Sequence, residues 1–246
     1  MRISLCVSLV VSVLVVCASP ARAQTPPPPK PWTVAASAGL ALTSGNTDTS
    51  TVNAAYDITY DSLGRNIVKT DALFLRGKTQ GQLASDRLNL NVRDQYRING
   101  RAYVFGQNQF LRDRFKDIDY LVAPTGGLGY KLLDTPESKM DIDAGVGGVW
   151  EKNAGFDISS SGAVTLGEKL QQQLTSSTTF TQSFSGLWKT KEFSDSLYTF
   201  GVGLAVSMST RTQLKVELLD VYKNRPPLPT IKKNDLATLL AVVFKM

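Results

Sequence analysis

Asp141 and Asp143 are the residues whose type and spacing come closest to a catalytic pair. Alternate residues of a β-strand point to the same face and lie about 7 Å apart, and two carboxylates can together cleave a glycosidic bond. The competing hypothesis is that they neutralise basic side chains elsewhere in the fold. The 246-residue chain contains no histidine, which excludes imidazole zinc ligands and Ser-His-Asp or Cys-His nucleophiles. We predict that the protein is not an enzyme and keep a hydrolase built on these carboxylates as an alternative.

Other short motifs do not indicate nucleotide or serine chemistry. Gly77-Lys78-Thr79 resembles the end of a phosphate-binding loop, but Ala72 occupies the position of its first glycine and no helix is predicted to follow. Neither Ser-x-x-Lys nor Gly-x-Ser-x-Gly occurs, so no serine has the local arrangement that activates it. We expect no catalytic residue, no cofactor and no metal site.

The first 23 residues have the pattern of a secretory signal peptide. Arg2 supplies a positive start, residues 3–18 are mainly apolar, and Ala21-Arg22-Ala23 supplies a cleavage step. The apolar run is shorter than the roughly 20 residues that a membrane-spanning helix needs. We therefore predict a signal peptide at 1–23 that is cleaved after Ala23.

The segment that follows is rich in proline. Residues 24–31 contain five prolines, which favour an extended polyproline II conformation. We predict a periplasmic linker at 24–31 and one domain at 32–246. Cys6 and Cys17 both precede the predicted cleavage step, so no disulfide is expected in the exported protein.

From Trp32 onward the hydrophobic period is two. Apolar residues at even positions 32–42 alternate with small or polar ones, and the alternation resumes at 52–60 after the turn sequence Ser-Gly-Asn-Thr-Asp at 44–48. A period of two is typical of β-strands, and similar runs continue to Met246. Nearly all of 32–246 is therefore predicted to be antiparallel strand.

Turn signals divide this segment into twelve predicted strands. An even number of strands places both ends of the segment on the same side of a barrel. The predicted connections are short at 99–100, 175–177 and 209–210 and longer at 77–85, 153–161 and 224–234. Short periplasmic turns and longer outer loops are typical of outer-membrane barrels.

The two faces of the predicted strands differ in polarity. One face is apolar and carries aromatic residues near strand ends, at Trp32, Tyr60, Tyr120, Tyr130, Trp150, Trp188 and Tyr198. The other face carries charges in mid-strand, and nine of them form a predicted lumen charge cluster: Asp57, Asp71, Arg87, Arg93, Arg97, Asp141, Asp143, Lys215 and Glu217. An apolar outer face and a charged inner face are typical of a barrel in lipid. We predict an all-β, transmembrane up-and-down antiparallel β-barrel in the cell outer membrane, with a secreted β-sandwich binding module as the alternative.

The predicted interior is compatible with two functions. A twelve-stranded lumen is intermediate in width between side-chain-filled eight-stranded barrels and sixteen-stranded porins. Glycines predicted to face the lumen, among them Gly129, Gly145 and Gly203, leave space and favour a narrow water-filled pore. Pairing among the charges would instead seal the barrel. The hypothesis we favour is a narrow passive pore, and the alternative is a sealed structural barrel.

The predicted location in the outer membrane implies the partners of the protein. They are membrane lipid, lipopolysaccharide and the barrel-insertion machinery. Lys223, Arg225, Lys232 and Lys233 flank the prolines of the last predicted outer loop, where they could bind lipopolysaccharide phosphates or remain solvated. No nucleic-acid partner is expected, because the basic residues alternate with acids rather than form a patch.

Five segments together resemble one known family. They are the alternating strand from Trp32 and the segments 44–49, 103–105, 113–115 and 126–130. They resemble the salt-induced outer-membrane protein family, a β-barrel family of Gram-negative bacteria, over nearly all of 32–246. The resemblance implies outer-membrane insertion and an osmotic or salt-linked role, and it supplies no catalytic residues. The sequence departs from the usual terminal aromatic of such barrels, because Phe244 lies two residues before Met246.

Overall fold

The computed structural model describes residues 30–44, 49–79 and 82–246. The predicted signal peptide at 1–23, most of the predicted linker and the turn at 45–48 lie outside these residues. Within the described ranges, no helix has the length and apolar character needed to cross a membrane.

The described residues form twelve β-strands and one short 3-10 helix. These elements are β1 (Trp32–Ser44), β2 (Thr49–Asp61), β3 (Asn66–Thr79), β4 (Gln82–Arg97), β5 (Ala102–Asp113), η1 (Arg114–Lys116), β6 (Ile118–Asp134), β7 (Ser138–Asn153), β8 (Ser159–Gln173), β9 (Thr178–Lys189), β10 (Glu192–Ser207), β11 (Thr212–Lys223) and β12 (Asn234–Lys245). Each strand pairs antiparallel with its neighbour in the chain, as expected when short connections join successive strands.

The sheet closes on itself. β1 pairs with β12 from Ala35 opposite Lys245 to Ser44 opposite Leu236, so the strand order runs around a closed barrel. Closure gives each of the twelve described strands a pairing partner on both sides, so none of them is an edge strand. The prediction of an all-β, twelve-stranded up-and-down barrel is confirmed, and the β-sandwich alternative is wrong.

The period of two separates an inner from an outer surface. Odd-numbered residues of most strands are buried or half-buried, whereas large even-numbered apolar residues are exposed, among them Leu40, Val146, Leu204 and Leu240. Alternate side chains of a strand must point to opposite faces. The barrel therefore has an apolar outer wall, and the charged residues of the predicted cluster, which are all odd-numbered, belong to the inner wall.

Aromatic side chains lie on the outer wall toward both ends of the barrel. Trp32 packs against Tyr60 with ring centroids 4.6 Å apart. At the opposite end, Trp188 contacts Tyr198 at 5.4 Å, and its indole N–H donates a hydrogen bond of 2.9 Å to the tyrosine hydroxyl. Two aromatic zones thus flank the apolar wall.

The two ends of the barrel differ in their connections. We call the end that carries Trp32 and Lys245 the termini end, and the end that carries connections 114–117, 154–158 and 224–233 the loop end. The prediction of a long connection at 77–85 is wrong, because β3 continues to Thr79 and β4 begins at Gln82. Strand pairing needs only backbone groups, so polar residues extend these two strands beyond the apolar alternation. Among the described connections, 224–233 is the longest.

The connection between β5 and β6 turns inward. Asp113 caps η1 by accepting a hydrogen bond from the Phe115 N–H, and Asp117 adopts a left-handed conformation with φ of 57°, which an aspartate tolerates better than most residues. This tight turn buries Phe115 and Lys116. It thereby places a lysine inside the mouth of the barrel.

Candidate functional site

Several of the predicted lumen charges form close ion pairs. Arg87 pairs with Asp113 at 3.5 Å, Arg97 with Asp61 at 2.5 Å, and Lys215 with its neighbour Glu217 at 2.6 Å. Arg97 and Asp61 lie at the termini end, whereas Arg87 and Asp113 lie toward the loop end. The structure therefore distributes these charges along the length of the lumen.

Arg93 makes the central bridge across the lumen. Its Nη2 atom lies 2.9 Å from an Asp143 carboxylate oxygen, and its Nη1 donates to Gln107 at 2.8 Å. The guanidinium also lies 3.7 Å from the centroid of the Phe105 ring. Gly167 leaves room for the bridge, because a Cβ there would lie 2.8 Å from the Asp143 carboxylate. One arginine thus joins β4 to β7 through the middle of the barrel.

A polar cavity of about 320 Å³ lies around this bridge. Its wall includes Lys69, Asp71, Asn91, Asp141 and Lys169 together with Arg93 and Asp143. Asn91 donates a hydrogen bond of 2.8 Å to Asp71. Among the described residues, no group of three or more potential metal ligands is arranged to hold an ion. The cavity therefore presents charged and amide groups of several strands to the lumen.

Aromatic side chains occupy part of the space that was expected beside the lumen glycines. The Tyr103 ring lies where a Cβ on Gly129 would be placed, and Phe105 lies 3.1 Å from the position of a Cβ on Gly145. The expectation that these glycines leave open space is therefore wrong at both positions. Small residues here admit neighbouring aromatic rings, as close packing requires.

An apolar layer closes the lumen on the loop side of the cavity. Five of its buried members come from separate strands, namely Leu75, Leu111, Leu121, Val149 and Val221, each with no more than 2% of its surface exposed. Because water does not reach these side chains, the described residues leave no passage through this layer. In the conformation described, the lumen is closed toward the loop end.

A buried ion network lies just beyond the apolar layer. Lys223 contacts Glu151 at 2.8 Å and Asp195 at 3.3 Å. Lys189 contacts the same two carboxylates at 3.0 and 2.5 Å. Glu151 is 1% exposed and Lys223 2% exposed in their side chains. Two cations therefore neutralise two carboxylates inside the mouth.

Lys116 joins opposite sides of the mouth. Its ammonium lies 2.8 Å from Asp235 of β12 and donates to the backbone carbonyls of Lys232 and Lys233 at 3.1 and 2.7 Å. Its side chain is fully buried, and burial lowers its pKa, whereas the hydrogen bond that it donates to Asp235 opposes this shift. We call these contacts of Lys116 with Asp235 and with loop 224–233 the Lys116 latch.

The residues that close the mouth were not predicted from the sequence. Lys223 was expected in an exposed outer loop, but β11 extends through it and its side chain points inward to Glu151. Arg225 pairs with Glu192, and Lys233 donates to Asn224. Binding of lipopolysaccharide phosphates by Lys223 is therefore wrong. The odd numbers of Glu151, Lys189 and Lys223 were the signal that could have placed them in the lumen.

These features define a class of protein: a closed twelve-stranded β-barrel with an apolar outer wall and a polar interior. The chain belongs to the family described as "Protein of unknown function, DUF481", whose model matches residues 36–246. No curated protein matches the chain. The salt-induced name of the resemblance is not part of that description.

The fold is similar to that of solved porin and channel structures. A NanC porin structure matches with a TM-score of 0.57 and 11% identity, over 87% of this chain and 100% of that one. The COG4313 outer membrane channel from Pseudomonas putida F1 matches with a TM-score of 0.53 and 13% identity, over 89% and 96% of the two chains. A KdgM porin matches with a TM-score of 0.50 and 9% identity, over 86% and 98%. At such identities the comparison shows a shared fold.

Proposed function

We propose that this chain is a non-enzymatic outer-membrane channel for small polar solutes, closed at its loop end in the conformation described. The observation that carries the proposal is the polar cavity of about 320 Å³ inside a closed barrel with an apolar outer wall. A barrel in lipid presents apolar residues outward, aromatic zones at both interfaces and polar residues inward. The similarity to porin and channel folds supports the same assignment.

If the outer wall contacts lipid, a charge placed on it should destabilise the barrel more at mid-strand than in a turn. Leu204 is 45% exposed on the outer wall of β10, about midway between Tyr198 and the turn at 208–211. Leu204→Arg is expected to lower the free energy of unfolding in lipid vesicles by about 2–4 kcal/mol, because the guanidinium must enter hydrocarbon. Urea titration of folded and unfolded fractions measures this loss.

Thr210→Arg is the matched control for Leu204→Arg. Thr210 is exposed in a turn at the termini end, outside the proposed hydrocarbon layer, so its substitution is expected to change stability by less than about 0.5 kcal/mol. Equal losses at the two positions would contradict lipid contact at Leu204.

Channel activity is tested by recording purified protein in planar bilayers. Because the lumen is closed in this conformation, we expect a mainly closed state with brief, discrete openings under applied voltage. A barrel that inserts and stays silent, both as the native protein and after release of the Lys116 latch, would contradict a channel. That outcome would support the sealed structural barrel, which the buried ion network also favours.

Enzymatic use of the lumen carboxylates is the less supported alternative. Asp143 is engaged by Arg93 at 2.9 Å, and Asp141 lies directly opposite Lys169 in the β7–β8 pairing. The bridge to Arg93 supports a role for Asp143 in charge neutralisation rather than in glycoside cleavage. We accordingly propose that the protein has no catalytic residues.

The proposal also covers how the chain reaches the outer membrane and what surrounds it there. Residues 1–23 act as a signal peptide, 24–31 as a periplasmic linker, and the barrel-insertion machinery places 32–246 among outer-membrane lipid and lipopolysaccharide. The osmotic or salt-linked role that the resemblance implies is consistent with a channel that stays closed until solute passage is needed. Growth of a deletion strain at high salt tests that role.

A further inference from the structure

Like charges face each other directly in the middle of the lumen wall. In the pairing of β2 with β3, Asp57 lies opposite Asp71. In the pairing of β3 with β4, Lys69 lies opposite Arg93. Directly opposed like charges destabilise a sheet. The wall therefore carries an acidic pair next to a basic pair, an arrangement that strand pairing alone does not explain.

The opposing wall repeats both signs of charge. Asp141 and Lys169 are cross-strand partners on β7 and β8, and Lys69 is within electrostatic range of both. Among the described residues, neither Lys69 nor Lys169 forms an ion pair, in contrast to Arg93, whose partner is Asp143. Two ammonium groups at the cavity are thus available to an incoming carboxylate.

The cavity is balanced in charge. Arg87 is neutralised by Asp113, and the other inward charges that line the cavity are three basic and three acidic side chains: Lys69, Arg93, Lys169, Asp71, Asp141 and Asp143. A ligand with a net charge would leave the lumen with an unbalanced charge, which is costly away from bulk water. A ligand that carries one positive and one negative group preserves the balance. The cavity has a volume of about 320 Å³. This is at the lower end of the range of ligand pockets, about 300–1,000 Å³, and therefore favours a small ligand.

We propose that the mid-lumen cavity binds a small zwitterion that carries one ammonium and one carboxylate group, as an α-amino acid does. The carboxylate faces Lys69 and Lys169, and the ammonium faces Asp71 and Asp141. The role of this site in selecting solutes for passage rests on the proposed channel function. Its capacity to bind the zwitterion does not.

Calorimetric titration of the detergent-solubilised native barrel tests the proposal with three probes. Alanine carries both charges, N-acetylalanine lacks the ammonium, and alaninamide lacks the carboxylate. We expect alanine to bind and each analogue to bind at least about tenfold more weakly, because each loses charge-assisted hydrogen bonds at one end. Absence of alanine binding, or equal binding of either analogue, would overturn the proposal.

Two matched variants assign the carboxylate end. Lys69→Met is expected to weaken alanine binding at least about tenfold and to leave alaninamide binding unchanged. Lys139→Met removes an exposed lysine near the termini end that does not line the cavity, and it is expected to leave alanine binding unchanged. Equal weakening in both variants would overturn the assignment.

Heat-modifiable migration on a gel reports whether Lys69→Met folds. If it does not fold, Asp71→Asn tests the same cavity. Asp71→Asn preserves side-chain shape. It is expected to weaken the binding of alanine and of alaninamide and to leave the binding of N-acetylalanine unchanged. Any other pattern among the three probes overturns the proposal. A native barrel that binds alanine but never conducts contradicts only the channel. A conducting barrel that does not bind alanine contradicts only the zwitterion site.

Discussion

Replacing Glu151 with alanine is expected to lower the free energy of unfolding by about 3–5 kcal/mol, the loss typical when one member of a buried ion network is removed. Glu151 is 1% exposed and contacts both Lys223 and Lys189. Without it, two buried ammonium groups share the single carboxylate of Asp195. Urea titration in lipid vesicles, followed by tryptophan fluorescence, measures the change.

Glu137→Ala is the control for this prediction. Glu137 is an exposed glutamate in the turn between β6 and β7, so its replacement is expected to change stability by less than about 0.5 kcal/mol. Equally small losses of unfolding free energy in Glu151→Ala and Glu137→Ala would contradict this prediction. Water would then have to reach the network at Glu151, and the mouth would not be closed as the structure describes.

The wall of the barrel was predictable because it depends on a period that is local in sequence. A strand directs alternate side chains to opposite faces, so Asp57, Arg93 and Glu217 could be assigned to the inner face without any knowledge of their neighbours. The strand count followed from turn signals such as Asn99-Gly100. Errors of a few residues at strand ends leave the strand count and the faces of mid-strand residues unchanged.

The closure of the mouth was not predictable in the same way, because it depends on contacts between distant strands. Lys116 meets Asp235 only after the barrel closes, and no local pattern pairs β5 or β6 with β12. Lys223 was assigned to a loop because prolines follow it, yet backbone pairing with Leu197 keeps it in β11. The inward odd position of Lys223 carried the information, but the predicted strand boundary concealed it.

Release of the Lys116 latch is expected to open the channel. Lys116→Met combined with Asp235→Asn removes the ammonium and its carboxylate together, so no buried charge of this pair is left without a partner. The closed state loses an ion pair and two hydrogen bonds to backbone carbonyls. At a net cost of about 3 kcal/mol to the closed state, the ratio of open to closed channels should rise about a hundredfold. Single-channel recording in planar bilayers measures this ratio.

A matched pair at the opposite end separates the latch from a general effect of lost charge. Lys131 and Asp134 pair at 2.8 Å near the termini end, where both are partly exposed, and Lys131→Met with Asp134→Asn removes the same two charges. This variant should open no more often than the native channel, because its residues do not join opposite walls. Equal opening in the two double variants would show that lost lumen charge, and not the latch, controls opening. If the native channel opens and a latch variant with native heat-modifiable migration opens no more often, the barrier lies in the apolar layer around Leu111 and Leu121, which the loss of Lys116 leaves in place.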